Sequence, residues 1–578
     1  MDEPSSEVAA IIRKYALQNA LEYDGAGQTS SVMGRVMGEN PDLRSQAAVL
    51  TPHIARSVEE ANAIARESGL DHLRELLATE APEALEKRQK ERRTGLPPLP
   101  NAESGGVVLR FAPNPNGPLS LGHARGVTIN SEFAKMHDGQ VILRFDDTDT
   151  RVKPPDPAAY SMIEADFEWL TGRPADRIIR ASERMPVYLE HAETMLETAA
   201  GYVCTCTAKA FSGLRKQGVE CPCRQRAVER NLELWGEMKD GTTAPGGAVV
   251  RVRTSMSLAN PALRDWPALR IQHEPHPIVG DAYRVWPLLD FQSAVEDHLQ
   301  GVTHIVRGKD LMDSTRKQTL LYEKFGWDYP ETLYWGRVKI HELGAFSTSE
   351  MRAAIEAGRR TGWDDPRLPT LLALRRRGFS GAAIRAFWLE LGLTQKDISV
   401  PMATLEALNC SEVDSDAPRL TFVRDPVSVT FDATGLPDLP AVTPAVHPDH
   451  ADRGTRGWPI LTGPEIEVLL EDDDIETARR TGRIRLKDFA DASISSAADA
   501  TLISAERLGR TPIVHWLPVG FGQPVSMLST NGDLLEMIEG VLESHDHVAG
   551  TVVQLERVGY ARLESTEDGG MQLIHLHG

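Results

Sequence analysis

The stretch LRFAPNPNGPLSLGHARG, Leu109 to Gly126, decides the fold. Val107, Val108 and Leu109 form a short apolar run that reads as a buried parallel strand. A Pro/Asn/Gly loop follows, and LGHARG opens a helical pattern. Strand, loop and helix in that order make an anion cradle. Glycines let the backbone approach a ligand, and the helix N-terminus offers unpaired N–H groups and the positive end of its dipole. The spacing fits neither a Walker loop nor G-x-G-x-x-G. Gly117, Gly122 and Gly126 are expected to bring backbone close to phosphate, and Pro113 and Pro115 to stiffen the loop. His123 is placed to donate to a phosphate oxygen as negative charge builds there. Alone, the stretch also reads as a surface loop with one histidine; the rest of the chain decides.

Working outward, 107–111, 121–137 and 140–145 read as strand, helix and strand, a βαβ unit on a parallel sheet. Helices follow at 157–170 and 185–200, and VTHIVRG (302–308) is a second buried strand that opens a helix. Residues 1 to about 95 carry a 3–4 apolar spacing punctuated at Asn40-Pro41 and Thr51-Pro52, and LPPLPNAESGG (96–106) is a linker. Residues 350–400 are helical again, broken at GWDDPRLP. After about 413 the chain alternates in β fashion between Gly, Asp and Pro turns, an all-β module expected to form barrels. A length of 578 residues exceeds one core, so several domains are expected. No leader pattern and no uninterrupted apolar run of about 18 residues occurs, so a cytoplasmic protein with no membrane partner is expected. The net charge of −20 argues on its face against nucleic acid, but local patches govern binding. Arg485, Lys487 and Arg557 are the basic residues picked as nucleic-acid contacts in the tail.

Three further groups carry chemistry. Arg144-Phe145-Asp146-Asp147-Thr148-Asp149 ends a strand, the edge at which ligands sit in open α/β sheets. Its three carboxylates are suited to a ligand ammonium or hydroxyl, and equally to a capped turn. THIVRGKDL (303–311) brings Arg307 to the same edge, where a guanidinium fork matches a carboxylate. With Arg110 it makes two guanidinium groups facing one cleft. Cys204-Thr-Cys206 and Cys221-Pro-Cys223 form a quartet suited to structural Zn²⁺, or else scattered buried thiols. His191 and His273 are spare ligand candidates, and Cys410 reads as core.

APNPNG with LGHARG, LRFDDTDT, YRVWPLLDFQSAVEDHLQGVTHIVRGKDL and GWDDPRLPTLLALRRRG stand in the order and spacing of a class I aminoacyl-tRNA synthetase. From about residue 8 to the C-terminus the chain resembles the archaeal-type glutamyl-tRNA synthetases, whose relatives include the glutaminyl enzymes. The resemblance implies an α/β multidomain fold with a Rossmann catalytic domain, split by an acceptor-stem insertion. Its boundaries fall at 1–100 (N-terminal helical region), 101–205 and 291–345 (Rossmann halves), 206–290 (insertion), 346–412 (helical connector) and 413–578 (anticodon-binding barrels). It implies activation of L-glutamate by ATP with Mg²⁺ to glutamyl-adenylate, then transfer to the terminal adenosine of tRNA. ATP would lie against Pro113, Asn116, Gly117, Gly122, His123, Arg125 and Gly126. Arg110 and Asn114 would hold the amino acid, Asp146 its ammonium and Arg307 its side-chain carboxylate. Leu289 and Ser293 stand where relatives place a tyrosine and an asparagine in the pocket. Glutaminyl enzymes carry a small neutral residue at the position of Arg307, so glutamate is favoured over glutamine.

Two signatures depart from the family pattern. His-Ile-Gly-His is here Ser120-Leu121-Gly122-His123, with one histidine gone. The Lys-Met-Ser-Lys-Ser loop is Ala345-Phe346-Ser347-Thr348-Ser349-Glu350, leaving Ser347 and Ser349 as its catalytic-loop residues and no lysine. Arg352, Lys339 or Mg²⁺ are the substitutes for the missing charge. The alternatives are a glutaminyl-tRNA synthetase and a catalytically degenerate tRNA-binding paralogue.

Overall fold

The computed structural model describes residues 4–578 except 85–94, 104–105, 344–346, 437, 497–498 and 567–568. The chain divides into two compact units, Met1–Arg93 and Thr94–Gly578. In the first, helices Ser6–Glu22, Thr29–Glu39 and Ala47–Glu80 close over Ile12, Leu17, Val36, Ile54, Val58 and Leu73. Pro52 does not punctuate as expected: the third helix runs through it. The proline costs one N–H bond, to the Ala48 carbonyl, and the burial of Leu50 and Ile54 on either side holds the helix through it. The break comes instead at Gly69, whose φ of +84° is non-helical.

The second unit is built on the parallel sheet. Val108–Phe111 pairs with Gln140–Phe145, which pairs with Arg177–Arg180. His304–Gly308 pairs with Glu331–Trp335. The two pieces meet where Thr303 N–H donates to the Val108 carbonyl (3.0 Å) and Val108 N–H to Thr303 Oγ1 (2.9 Å). The spatial order is therefore third, second, first, fourth, fifth, the doubly wound arrangement whose strand order reverses between first and fourth. Arg110 and Arg307 sit near the carboxyl ends of those two strands, on either side of the switch point. The 96–106 linker is partly core, because Leu99 is buried beneath the sheet.

Four antiparallel strands, Gly201–Cys204, Val249–Val252, Pro267–Ile271 and Val285–Pro287, form a separate sheet packed on Trp235, Trp266 and Trp286. This sheet starts at Gly201, ahead of the boundary expected at 206, because Tyr202 and Val203 are buried in it. Helix Leu289–Leu299 lends Phe291, Ala294 and Val295 to the same core while ending beside the parallel sheet. The connector helices Leu371–Arg377 and Gly381–Leu391 pack beneath the sheet, and Leu121 N–H donates to the Pro369 carbonyl at 2.8 Å. Among the described residues the C-terminal region forms two barrel-like sheets of seven strands each, and the strands of one, between 427 and 518, are inserted in the chain between those of the other, 419–424 and 522–577. No helix among the described residues is long and apolar enough to cross a membrane.

Candidate active site

The signature loop is held by its own backbone. Asp146 N–H donates to the Pro113 carbonyl (3.0 Å) and Asp156 N–H to that of Pro115 (2.8 Å). Ser120 caps helix Leu121–Met136 in a reciprocal box. Its Oγ accepts from His123 N–H at 3.4 Å, and His123 Nδ1 accepts from Ser120 N–H at 3.1 Å. Ser120 thus serves the helix as its N-cap. With Nδ1 occupied as acceptor, the proton of neutral His123 is on Nε2, which makes that nitrogen a donor. Burial, reinforced by the positive charge of Lys153, pushes His123 down to about 4, so the ring is neutral at physiological pH. ATP–pyrophosphate exchange is then expected to show no His123 titration between about pH 6 and 8 and to fall only toward its lowered value. The folded state binds fewer protons here than the unfolded chain, so stability also declines as pH drops from 6.5 toward about 4. An inflection near 6.5 that His123→Asn removes would contradict this.

At two of the glycines a side chain would collide with protein. A Cβ on Gly117 (φ +154°) would lie 2.9 Å from Thr348 Cγ2 and 3.0 Å from the Trp363 ring. One on Gly126 would lie 3.0 Å from the Phe111 ring. Gly117 therefore lets the first signature loop close on the second.

A cavity of about 210 Å³ opens at the switch point. Of the residues expected there, Arg110, Gly122, His123, Gly126, Asp146, Leu289, Ser293 and Arg307 line it. Pro113, Asn114, Asn116, Gly117, Arg125, Ser347 and Ser349 do not. Asn114 Nδ2 donates to the Asp146 carbonyl at 3.0 Å, so its amide shapes the loop under the cavity. Arg125, expected to meet ATP, donates to the carbonyls of Gly336 (2.8 Å) and Gly392 (3.0 Å) between Trp335 and Trp388. Ser347 caps helix Thr348–Glu356; Ala345 and Phe346 lie outside the described residues. Arg352 donates to the Asn116 carbonyl (2.7 Å) and pairs with Asp156 (2.8 Å), tying the second signature to the first. Lys153, whose charge reaches His123, is a cation near the signature loop that the sequence pattern did not single out.

Charge beneath the cavity is closely paired. Buried Arg144 donates to Asp146 (2.9 Å), Asp297 (2.7 Å) and Ser293 Oγ (2.5 Å). Arg110 Nε reaches the same Asp297 oxygen at 3.2 Å, and Gln292 donates to Asp146 at 2.8 Å. Burial works against the Asp297 anion, yet Arg110, Arg144 and Arg307 outweigh it and hold its pKa below the ordinary carboxylate value. At Asp146 burial wins over Arg144 and Gln292, and the pKa rises. The other two carboxylates of the motif are occupied. Asp147 accepts from Tyr160, Ser182 N–H and Ser182 Oγ, and Asp149 from Arg270. Asp146 alone of the three lines the cavity. Arg307 is 4% exposed and has no ion-pair partner within 4.0 Å among the described residues. Its Nη1 and Nη2 each donate to Gln318 Oε1 at 3.1 Å. Asp297 and Gln318 were absent from the sequence-derived site. A carboxylate at 297, one helical turn beyond Ser293 and on the same face of the helix, was the available signal for the first.

In the inserted module the Sγ atoms of Cys204 and Cys221 are 3.9 Å apart and those of Cys206 and Cys223 3.7 Å. All four lie within 4.8 Å of one another. A disulfide needs about 2.05 Å. A tetrahedron of thiolates about 2.3 Å from one zinc has edges of about 3.8 Å, which these distances match. His191 and His273 stand outside that cluster.

A phosphate loop and an arginine-flanked cavity at the switch point of a doubly wound sheet, with nested β modules downstream, define a class I aminoacyl-tRNA synthetase. Residues 106–415 match the family "tRNA synthetases class I (E and Q), catalytic domain", and 417–506 match its anti-codon binding domain. The chain belongs to this glutamyl/glutaminyl family. It is 45% identical to a "Glutamate--tRNA ligase" of Methanothrix thermoacetophila, over 97% of this chain and 98% of that one. A protein of the same description from Pyrococcus abyssi is 43% identical, over 99% and 100%. One from Methanosarcina mazei is 42% identical, over 99% and 99%.

Proposed function

We propose that the protein is a glutamate–tRNA ligase, acting in the cytoplasm on L-glutamate, ATP with Mg²⁺, and tRNA. The observation that carries this reading is the buried guanidinium of Arg307, without an ion pair within 4.0 Å among the described residues, in a cavity that also holds Asp146. Arg110 and Arg144 pair with Asp297, and Arg144 also with Asp146, while Arg307 makes no such pair among the described residues. A glutamate zwitterion carries one net negative charge and supplies an ammonium for Asp146 and a side-chain carboxylate for Arg307. Its α-carboxylate then attacks the α-phosphorus of ATP, forming the mixed anhydride as pyrophosphate leaves. The terminal adenosine 2′-hydroxyl next attacks the activated carbonyl and AMP departs. The chain mainly positions these groups and neutralises charge. His123 Nε2–H and the first turn of helix Leu121–Met136 serve the phosphates. Glutamine would leave Arg307 buried without a counter-charge, which costs several kcal/mol. ATP–pyrophosphate exchange with glutamate and with glutamine, each with and without tRNA, tests the reading. Exchange with neither amino acid would favour a tRNA-binding paralogue, and exchange with glutamine alone a glutaminyl enzyme.

The four-cysteine cluster fits a structural zinc, which would cross-link strand Gly201–Cys204 to the Cys221–Cys223 turn. Purified protein should carry one zinc per chain, and Cys221→Ser should lose it together with several degrees of unfolding midpoint. Full zinc content in that variant would refute the site.

A further inference from the structure

We infer that Gln318 is a specificity-determining residue: a neutral acceptor that fixes the Arg307 guanidinium while leaving its charge for the substrate. This rests on the glutamate reading above. Gln318 is 1% exposed, lies on helix Met312–Phe325, and lines the cavity beside Arg307. A guanidinium has only donors, so the amide must turn its oxygen toward it. That oxygen receives Nη1 and Nη2 of Arg307 at 3.1 Å each and the Tyr329 hydroxyl at 2.7 Å. Burial pushes the Tyr329 phenol up to about 12, so it remains a donor. One oxygen accepting three hydrogen bonds occupies the place where a carboxylate would be expected against a buried arginine. A carboxylate there would neutralise Arg307 and repel the side-chain carboxylate of glutamate. The amide orients the guanidinium without doing either, and Nε of Arg307 is left with no partner. The neighbouring arginines show the contrast, since Arg110 and Arg144 both lean on Asp297. The cavity thus separates arginines already paired from one kept for the ligand.

Gln318→Glu is the decisive change because it alters charge with almost no change of shape. Exchange kinetics with glutamate and with glutamine should show kcat/KM for glutamate reduced on the order of 100-fold, chiefly through KM. The glutamate-to-glutamine ratio should narrow by a similar factor, with KM for ATP unchanged. The unfolding midpoint should hold or rise, because a buried guanidinium gains a counter-ion. Gln318→Met removes the acceptor without adding charge; it should raise KM for glutamate while moving the ratio no more than about fivefold. The proposal is overturned if both variants shift the ratio equally, if Gln318→Glu keeps the wild-type preference, or if its midpoint falls. Wild-type protein that exchanges with neither amino acid, or only with glutamine, would instead sink the glutamate reading itself.

Discussion

Arg307→Cys is expected to lower kcat/KM for glutamate about 10³-fold while leaving the affinity for tRNA within a factor of two. The guanidinium is buried at the end of its strand and makes no ion pair within 4.0 Å among the described residues; Asp297, which it feels at longer range, is paired directly with Arg110 and Arg144. A charge-assisted pair formed in such a place is worth several kcal/mol, and each ~1.4 kcal/mol is tenfold. The loss should appear mainly in KM, because the contact is made in the ground state and kept through the transition state. Glutamine should suffer far less, since cysteine removes the uncompensated charge that its amide cannot satisfy. Filter binding of tRNA beside exchange kinetics checks both halves. An equal loss of tRNA binding would make Arg307 a structural residue and would undo the charge argument for glutamate.

The place of Arg307 at a strand end was legible because it lies within a local pattern, a buried strand followed by a helix turn. The same is true of the signature loop, where glycines, prolines and His123 fall at fixed offsets from the strand. The strand Gln140–Phe145 and helix Leu121–Met136 follow the sequence periodicity closely for the same reason. What local pattern could not reveal was partnership across the chain. Arg125 follows the loop histidine and so looked like a phosphate ligand, yet its acceptors are carbonyls at Gly336 and Gly392. In the β tail, Arg485 pairs with Asp491, Lys487 with Glu556 and Arg557 with Asp474. Each cation chosen there as a nucleic-acid contact is thus already met by a carboxylate. Lys487 and Arg557 still line a cavity of about 590 Å³ between the two modules, whereas Arg485 does not. Pairing of this kind needs the folded topology, because the partners come from separate strands and loops.

Asp297→Ala should be the most destabilising single change in the active-site region, at about 3–5 kcal/mol. The side chain is fully buried on helix Leu289–Leu299, and one oxygen takes Arg110 at 3.2 Å and Arg144 at 2.7 Å. Removing it leaves Arg110 buried without its ion-pair partner and Arg144 with Asp146 as its remaining ion-pair partner. Asp297→Asn keeps the shape and one acceptor oxygen, so it should cost less. The folded-state pKa of Asp297 is lowered, so its contribution is complete above the ordinary value of 3.8 and is lost as pH falls through the lower folded value. Wild-type protein should therefore lose part of its stability lead over Asp297→Ala at acid pH, and the two unfolding curves should converge there. Activity should fail along with stability, because Arg144 orients Asp146 and Arg110 lines the cavity, and both lose their common anchor. Thermal unfolding of the two variants at neutral and acid pH measures each point. A midpoint for Asp297→Ala within a degree or two of wild type would mean that the arginines find other partners, and the anchoring role would have to be abandoned.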